Sequence, residues 1–175
     1  MNYAIDGYNL LFRLDPESLR SPRQRGGQTL EEKRRSLLVQ IGEVADLLHL
    51  DLILVFDGAD AHLPYATRPH FGPLRIVYTP ERQSADAYLL ELVVTNRKKP
   101  LTIVTSDTAL ARDCRSQGAL TLSVEAFLDL IRKQLSCEER RGQEEKPPSL
   151  QTQAIERYLK IFEARLRNIS ELGNL

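Results

Sequence analysis

The 175-residue chain has no uninterrupted run approaching ~18 apolar residues, so nothing in it is expected to span a membrane. Cysteine is scarce. Cys114 and Cys137 stand in unrelated contexts, the usage of idle or buried thiols in a reducing compartment rather than of a disulfide-stapled secreted domain. An excess of one charge is also missing: 24 Lys and Arg balance 24 Asp and Glu. That excludes a polybasic arm as the main nucleic-acid device, while leaving room for charge segregated by face. The start, MNYAIDGYNL, has neither a basic n-region nor a cleavage-type sequence after an apolar run, so no signal peptide is expected. The expected location is therefore cytoplasmic. No GxGxxG follows the first apolar run, no GxxxxGK[ST] occurs, and no GxSxG elbow is present. Dinucleotide binding, P-loop chemistry and an α/β-hydrolase site are disfavoured accordingly.

What is present is enough for one ordinary domain, which at this size buries roughly 70% of the surface its unfolded chain exposes. Short apolar runs alternate with longer helical patterns, the order of parallel strands joined by crossover helices. Strands are expected at 2–6, 51–56, 74–78, 101–105 and 119–123. Three of these are nearly continuous apolar runs, as in strands covered on both faces. Thr29 and Glu32 form a capping box opening a helix to about His49, with Leu30, Leu37, Ile41, Val44 and Leu48 facing the sheet. Further helices are expected from Ser84 or a neighbour, from Ser106 or Asp107 to a stop before Gly118, and from Val124 to about Cys137.

The expected organisation is a domain over 1–137, a charged linker over 138–148 (EERRGQEEKPP) and an amphipathic C-terminal helix over 149–175. That helix carries Ile155, Tyr158, Leu159, Phe162, Leu166 and Ile169 on one face, to dock on the domain or on a second copy, so the chain is expected as a monomer or a homodimer. The segment from Asp15 to Gln28 is long, basic and glycine-containing, a kind of loop that is often functional.

The aspartates carry the chemistry. Asp6 ends the first strand, Asp57 the second and Asp107 the fourth, while Asp86 falls in the first turn of the helix after the third. In an open parallel sheet the ligand crevice lies outside the carboxyl ends of the strands, so all four converge on one edge. Two carboxylates about 5 Å apart repel by roughly 3 kcal/mol at an effective dielectric near 20. The four must be protonated, paired or neutralised by a cation. Taken singly, Asp107 reads equally as a helix cap and Asp57 as a turn residue. Hard oxygen ligands without a His/Cys set point to Mg²⁺ or Mn²⁺ rather than zinc. His49, His62 and His70 lack metal-ligand spacing. A haloacid-dehalogenase-type phosphatase would need an acid where Tyr8 stands. What remains is an acidic, metal-dependent site for phosphodiester bonds.

Four segments, IDGYNLLF (Ile5–Phe12), LVFDGAD (Leu54–Asp60), VYTPERQSADAYLLELV (Val77–Val93) and TIVTSDTALARDCRSQGA (Thr102–Ala119), together resemble the YacP-like NYN family, a bacterial branch of the PIN-like nucleases. The resemblance covers about residues 1–135. It implies a PIN-like three-layer α/β sandwich with a mostly parallel sheet of about five strands, and a metal-dependent endoribonuclease. Matched position by position, Asp6, Asp86 and Asp107 are the metal-binding acids, Asn9 the asparagine that orients a ligand or phosphate, and Asp57 the acid after the second strand. The resemblance further implies action on messenger RNA in the translating ribosome.

RNA would then meet basic residues gathered around the pocket: Arg20, Arg23 and Arg25 in the long loop, Lys33, Arg34 and Arg35 on the next helix, and Arg68, Arg75 and Arg82 nearer the acids. Tyr8, Tyr65, His70 and Phe71 are candidates to stack on unpaired bases. Asp113 is expected to pair with Arg112 or Arg115 rather than to join the acids. Two other classes stay open from sequence: a non-catalytic RNA- or ribosome-binding module of the same fold, and a sugar-phosphate or nucleotide phosphatase.

Overall fold

The computed structural model describes residues 2–15, 29–58, 70–80, 82–96, 101–145 and 155–160. Its centre is a sheet in the order β3-β4-β2-β1-β5-β6. The strands are β1 (Asn2–Asp6), β2 (Asp51–Phe56), β3 (His70–Phe71), β4 (Leu74–Tyr78), β5 (Leu101–Val104) and β6 (Leu120–Leu122). All pairings are parallel except the two-residue β3, which turns back on β4. The five parallel strands are the five expected, with β5 and β6 trimmed at their ends.

Alternation along each strand sorts its side chains into two cores. Tyr3, Ile5, Leu52, Leu54, Phe56, Leu74, Ile76 and Tyr78 face one layer, against α1 (Gly7–Leu14), α2 (Leu30–Leu47), α5 (Val124–Glu145) and the helical segment 155–160. Ala4, Ile53, Val55, Val77, Leu101 and Ile103 face the other, against α3 (Ala85–Thr95) and α4 (Thr108–Ser116). The result is the expected α/β/α sandwich.

The helices begin where their caps dictate. Thr29 Oγ1 accepts the Glu32 N–H while Glu32 returns a carboxylate to the Thr29 N–H. Ser84 caps α3 and Asp107 caps α4, and α4 is followed by Gly118 at φ +88°.

Two expectations need correction. The helix α1, directly after β1, was not foreseen; its signal is Asp6 as N-cap followed by Leu10, Leu11 and Leu14 at helical spacing. The stretch expected as the start of a linker at 138 instead continues α5 to Glu145. Its charges suit a helix, with Glu138 and Arg141 paired at 3.0 Å one turn apart, and the chain reaches prolines only at 147 and 148. The apolar stripe near the C-terminus docks on the domain, one of the two alternatives expected of it: Ile155, Tyr158 and Leu159 are buried in the same core as α2 and α5. Arg157 ties that segment to Glu43 of α2 at 3.2 Å. Phe162, Leu166 and Ile169 lie outside the described residues.

Candidate functional site

The order of the strands creates the site. From β1 the chain steps outward through β2 to β4, then returns across the sheet to β5 and β6 on the other side of β1. The carboxyl ends around β1 are therefore where successive connections diverge, which is where open α/β sheets bind ligands. Asp6 ends β1, Asp57 follows β2 on one side, and Asp107 follows β5 on the other. Asp86 comes down from the first turn of α3, which packs against β1 and β2.

Each acid is held differently. Asp6 is the buried one, at 8% exposure, and caps α1: its Oδ1 accepts the backbone N–H groups of Tyr8 and Asn9, both at 3.0 Å. Its Oδ2 accepts Asn9 Nδ2 at 2.5 Å. Asp107 uses Oδ1 alone to cap α4, accepting from Ala109 and Leu110 at 2.7 and 3.0 Å. Asp57 Oδ1 accepts the backbone N–H of Ala85, the first residue of α3. The Asp86 carboxylate has no hydrogen-bond partner among the described residues.

Thr105, buried at the end of β5, joins the two sides of the switch point. Its Oγ1 accepts Asn9 Nδ2 at 3.4 Å and the Asp107 N–H at 3.0 Å. A chain of contacts thus runs from Asp6 through Asn9 and Thr105 to Asp107. Thr79 does similar work beside it, accepting the Gly58 N–H and donating to the Phe56 carbonyl, each at 3.4 Å. Neither threonine stood out in the sequence. Their only signal was a β-branched hydroxyl residue at the end of an apolar strand.

The charges act on one another. Burial pushes the Asp6 carboxyl above its ordinary value; the hydrogen bonds from Asn9 and Tyr8 oppose this, and the nearby charge of Asp57 adds to it. Asp86 is also raised, first by desolvation and then by repulsion from Asp6, Asp107 and Asp57. The four acids expected to converge therefore share one field.

As the side chains stand, no group of three ligating residues closes into a ready cage among the described residues. The donor chemistry nevertheless fits a hard divalent cation. All four groups are carboxylates, Asp86 is unpartnered among the described residues, and Oδ2 of Asp107 accepts no hydrogen bond there. Asp86 and Asp107, with Oδ2 of Asp6, are the oxygens able to hold one. Asp57 has one oxygen committed to the α3 backbone.

The expected RNA contacts divide. Tyr8 stacks on Phe12, with ring centroids 5.7 Å apart, and meets Phe56 edge-on at 5.2 Å. Arg34 lies over Tyr78 and Phe56 at the ends of β4 and β2, and Arg82 is exposed in the turn leading to α3. Arg20, Arg23 and Arg25 lie outside the described residues, as do Tyr65 and Arg68. Arg112 pairs with Asp113 at 3.7 Å, as anticipated.

A doubly wound parallel sheet with four carboxylates at its switch point and a D-G-Y-N helix start at the end of β1 defines a nuclease-like α/β domain. The profile of the YacP-like NYN domain family matches residues 3–169, and the chain belongs to that family. Among solved structures it is similar to Rae1 (YacP) from Bacillus subtilis in two crystal structures. One, of a point mutant of that protein, superimposes with a TM-score of 0.61 at 19% identity, covering 94% of this chain and 99% of that one. The other crystal structure gives 0.57 at 19% identity, with 99% and 95% covered. No curated protein matches the chain.

Proposed function

We propose that this chain is a divalent-cation-dependent endoribonuclease that hydrolyses phosphodiester bonds of single-stranded RNA. Asp86 carries the reading. Asp6, Asp57 and Asp107 each hold a backbone N–H and so have a structural duty, whereas Asp86 holds none among the described residues and is destabilised by its three neighbours. A carboxylate kept in such a place has a use for its charge. Mg²⁺ or Mn²⁺ bound there would supply a Lewis acid and offset the repulsion.

The protein's own groups do the rest. Asn9 fixes one oxygen of Asp6, so that this carboxylate keeps a single orientation. Thr105 holds Asp107 in register with that pair across the sheet. Asp57 sets the first turn of α3, and with it the position of Asp86. Basic residues on the same edge, Arg34 and Arg82 among them, oppose the local acid charge that would otherwise repel a phosphodiester. Messenger RNA presented by the ribosome, in the cytoplasm, is the narrower substrate that this reading favours.

One observation favours a second reading. Three of the four acids are satisfied as helix caps, which is all a non-catalytic RNA-binding module of this fold would need of them. Cleavage of labelled RNA in Mn²⁺ by the wild type, Asp86→Asn and Asp107→Asn separates the two. The nuclease reading expects loss of cleavage in both variants with no fall in melting temperature, together with calorimetric Mn²⁺ binding that is lost in Asp86→Asn. Wild-type protein that neither binds Mn²⁺ at millimolar concentration nor cleaves RNA, naked or on ribosomes, sinks it.

A further inference from the structure

Asn9 stands on the first turn of α1 and is held at three points. Its backbone N–H donates to Asp6 Oδ1 at 3.0 Å. Its side-chain Nδ2 donates to Asp6 Oδ2 at 2.5 Å and to Thr105 Oγ1 at 3.4 Å. Both amide hydrogens are therefore spent, one on a carboxylate and one on a hydroxyl. The same contacts decide which way the amide faces. Turned over, it would set a carbonyl oxygen against the Asp6 carboxylate, two acceptors with no hydrogen between them.

Asn9 Oδ1 is what remains. It accepts no hydrogen bond among the described residues, and the residue is only half-buried. Thr105 is itself buried, and is fixed by accepting the Asp107 N–H at 3.0 Å. The amide cannot swing to present a donor without giving up Asp6 and Thr105 together. An asparagine can offer a ligand both a donor and an acceptor. This one offers the acceptor alone, on a group bonded directly to one of the site's carboxylates, and has no hydrogen left for a phosphate oxygen.

We propose that Asn9 is a specificity-determining residue of the site, its Oδ1 accepting the 2′-hydroxyl of the ribose beside the phosphodiester held at the acids, so that RNA is selected over DNA. The inference rests on the nuclease reading above and adds to it the atom that reads the sugar. Polarity sorts the groups of the strand. Phosphate oxygens, bridging oxygens and the ribose ring oxygen are all acceptors and repel a carbonyl oxygen. Within the sugar–phosphate backbone the 2′-hydroxyl is the donor, and it stands on the carbon next to the one bearing the 3′-oxygen of the phosphodiester. Base N–H groups lie farther from a phosphate held there. DNA has no counterpart to this hydroxyl, which is the group that lets a protein tell the two apart.

The test is anisotropy of two short fluorescein-labelled oligouridylates in EDTA, one with ribose and one with 2′-fluoro-2′-deoxyribose throughout. The fluorine keeps an RNA-like sugar pucker and cannot donate a hydrogen bond. Wild type is expected to bind the ribose strand about tenfold more tightly. Asn9→Ala is expected to lose that preference through weaker binding of the ribose strand alone, whereas a role confined to orienting Asp6 would move both strands together. An unchanged preference in Asn9→Ala, equal binding of the two strands by wild type, or no binding of either overturns the inference. Equal binding with cleavage lost in Asn9→Ala would give Oδ1 to water or to the cation instead. If Asn9→Ala fails to fold, the wild-type comparison decides alone. Cleavage in Mn²⁺ is read separately. Ribose preference without cleavage discards the nuclease and keeps the sugar contact, and cleavage without preference does the reverse.

Discussion

The carboxylate of Asp57 accepts the backbone N–H of Ala85, so the residue that leaves β2 also fixes the start of α3, one position before Asp86. An acid that the sequence groups with the metal ligands is thereby tied to a helix terminus, where a negative charge meets unpaired N–H groups and the positive end of the dipole.

Asp57→Ala should therefore destabilise the fold by about 1 kcal/mol, the usual effect of losing an N-terminal cap. Asp57→Asn keeps the accepting oxygen and should recover most of that loss. Urea midpoints of the three proteins check it; equal losses in both variants would point to the charge and not the hydrogen bond.

Asp86 gives the pH dependence. Its pKa in the fold lies above the ordinary 3.8, so between those two values the folded state holds more protons than the unfolded one. Stability must then fall as pH rises through that window, and stay reduced above it. Asp86→Asn removes the effect. The variant should melt higher than wild type at neutral pH. The difference should vanish below the ordinary carboxylate range. A variant that melts lower at neutral pH contradicts the repulsion.

Cation binding should act on the same balance in the opposite sense. At a hundredfold excess over its Kd, Mn²⁺ stabilises the fold by about 2.7 kcal/mol if it binds only the native state. Melting temperature should rise with Mn²⁺, return to its starting value with EDTA, and respond weakly in Asp86→Asn. A Mn²⁺-induced rise of equal size in the variant would place the ion elsewhere.

Gly7→Ala tests the packing beneath the site. A methyl group there would lie 2.6 and 2.7 Å from Cζ and Cδ1 of Phe56, and closer still to Cε1. That ring cannot easily yield, because Tyr8, Tyr78 and Arg34 surround it. Overpacking of this kind costs about 1–3 kcal/mol. Thermal melts should show the loss.

By itself the sequence determined the five parallel strands, that several of them are covered on both faces, and most helix starts. Those features depend on patterns a few residues long: continuous apolar runs, helical spacing, and Thr29, Ser84 or Asp107 beside free N–H groups. It also determined that Asp6, Asp57 and Asp107 stand at strand ends, and parallel pairing puts those ends on one edge. Charge composition hid the end of α5, since Glu138 and Arg141 serve a solvated helix as well as a linker.

Only the tertiary structure decided what each acid does and which neighbours hold it. Thr105 contacts Asn9 across 96 residues of chain, and Asp57 reaches Ala85 across 28. Arg34 meets two rings from different strands. Such contacts arise only when the sheet order brings β1, β2, β4 and β5 side by side, because hydrogen bonds and ring stacking act over a few ångströms while the residues that make them are far apart in sequence.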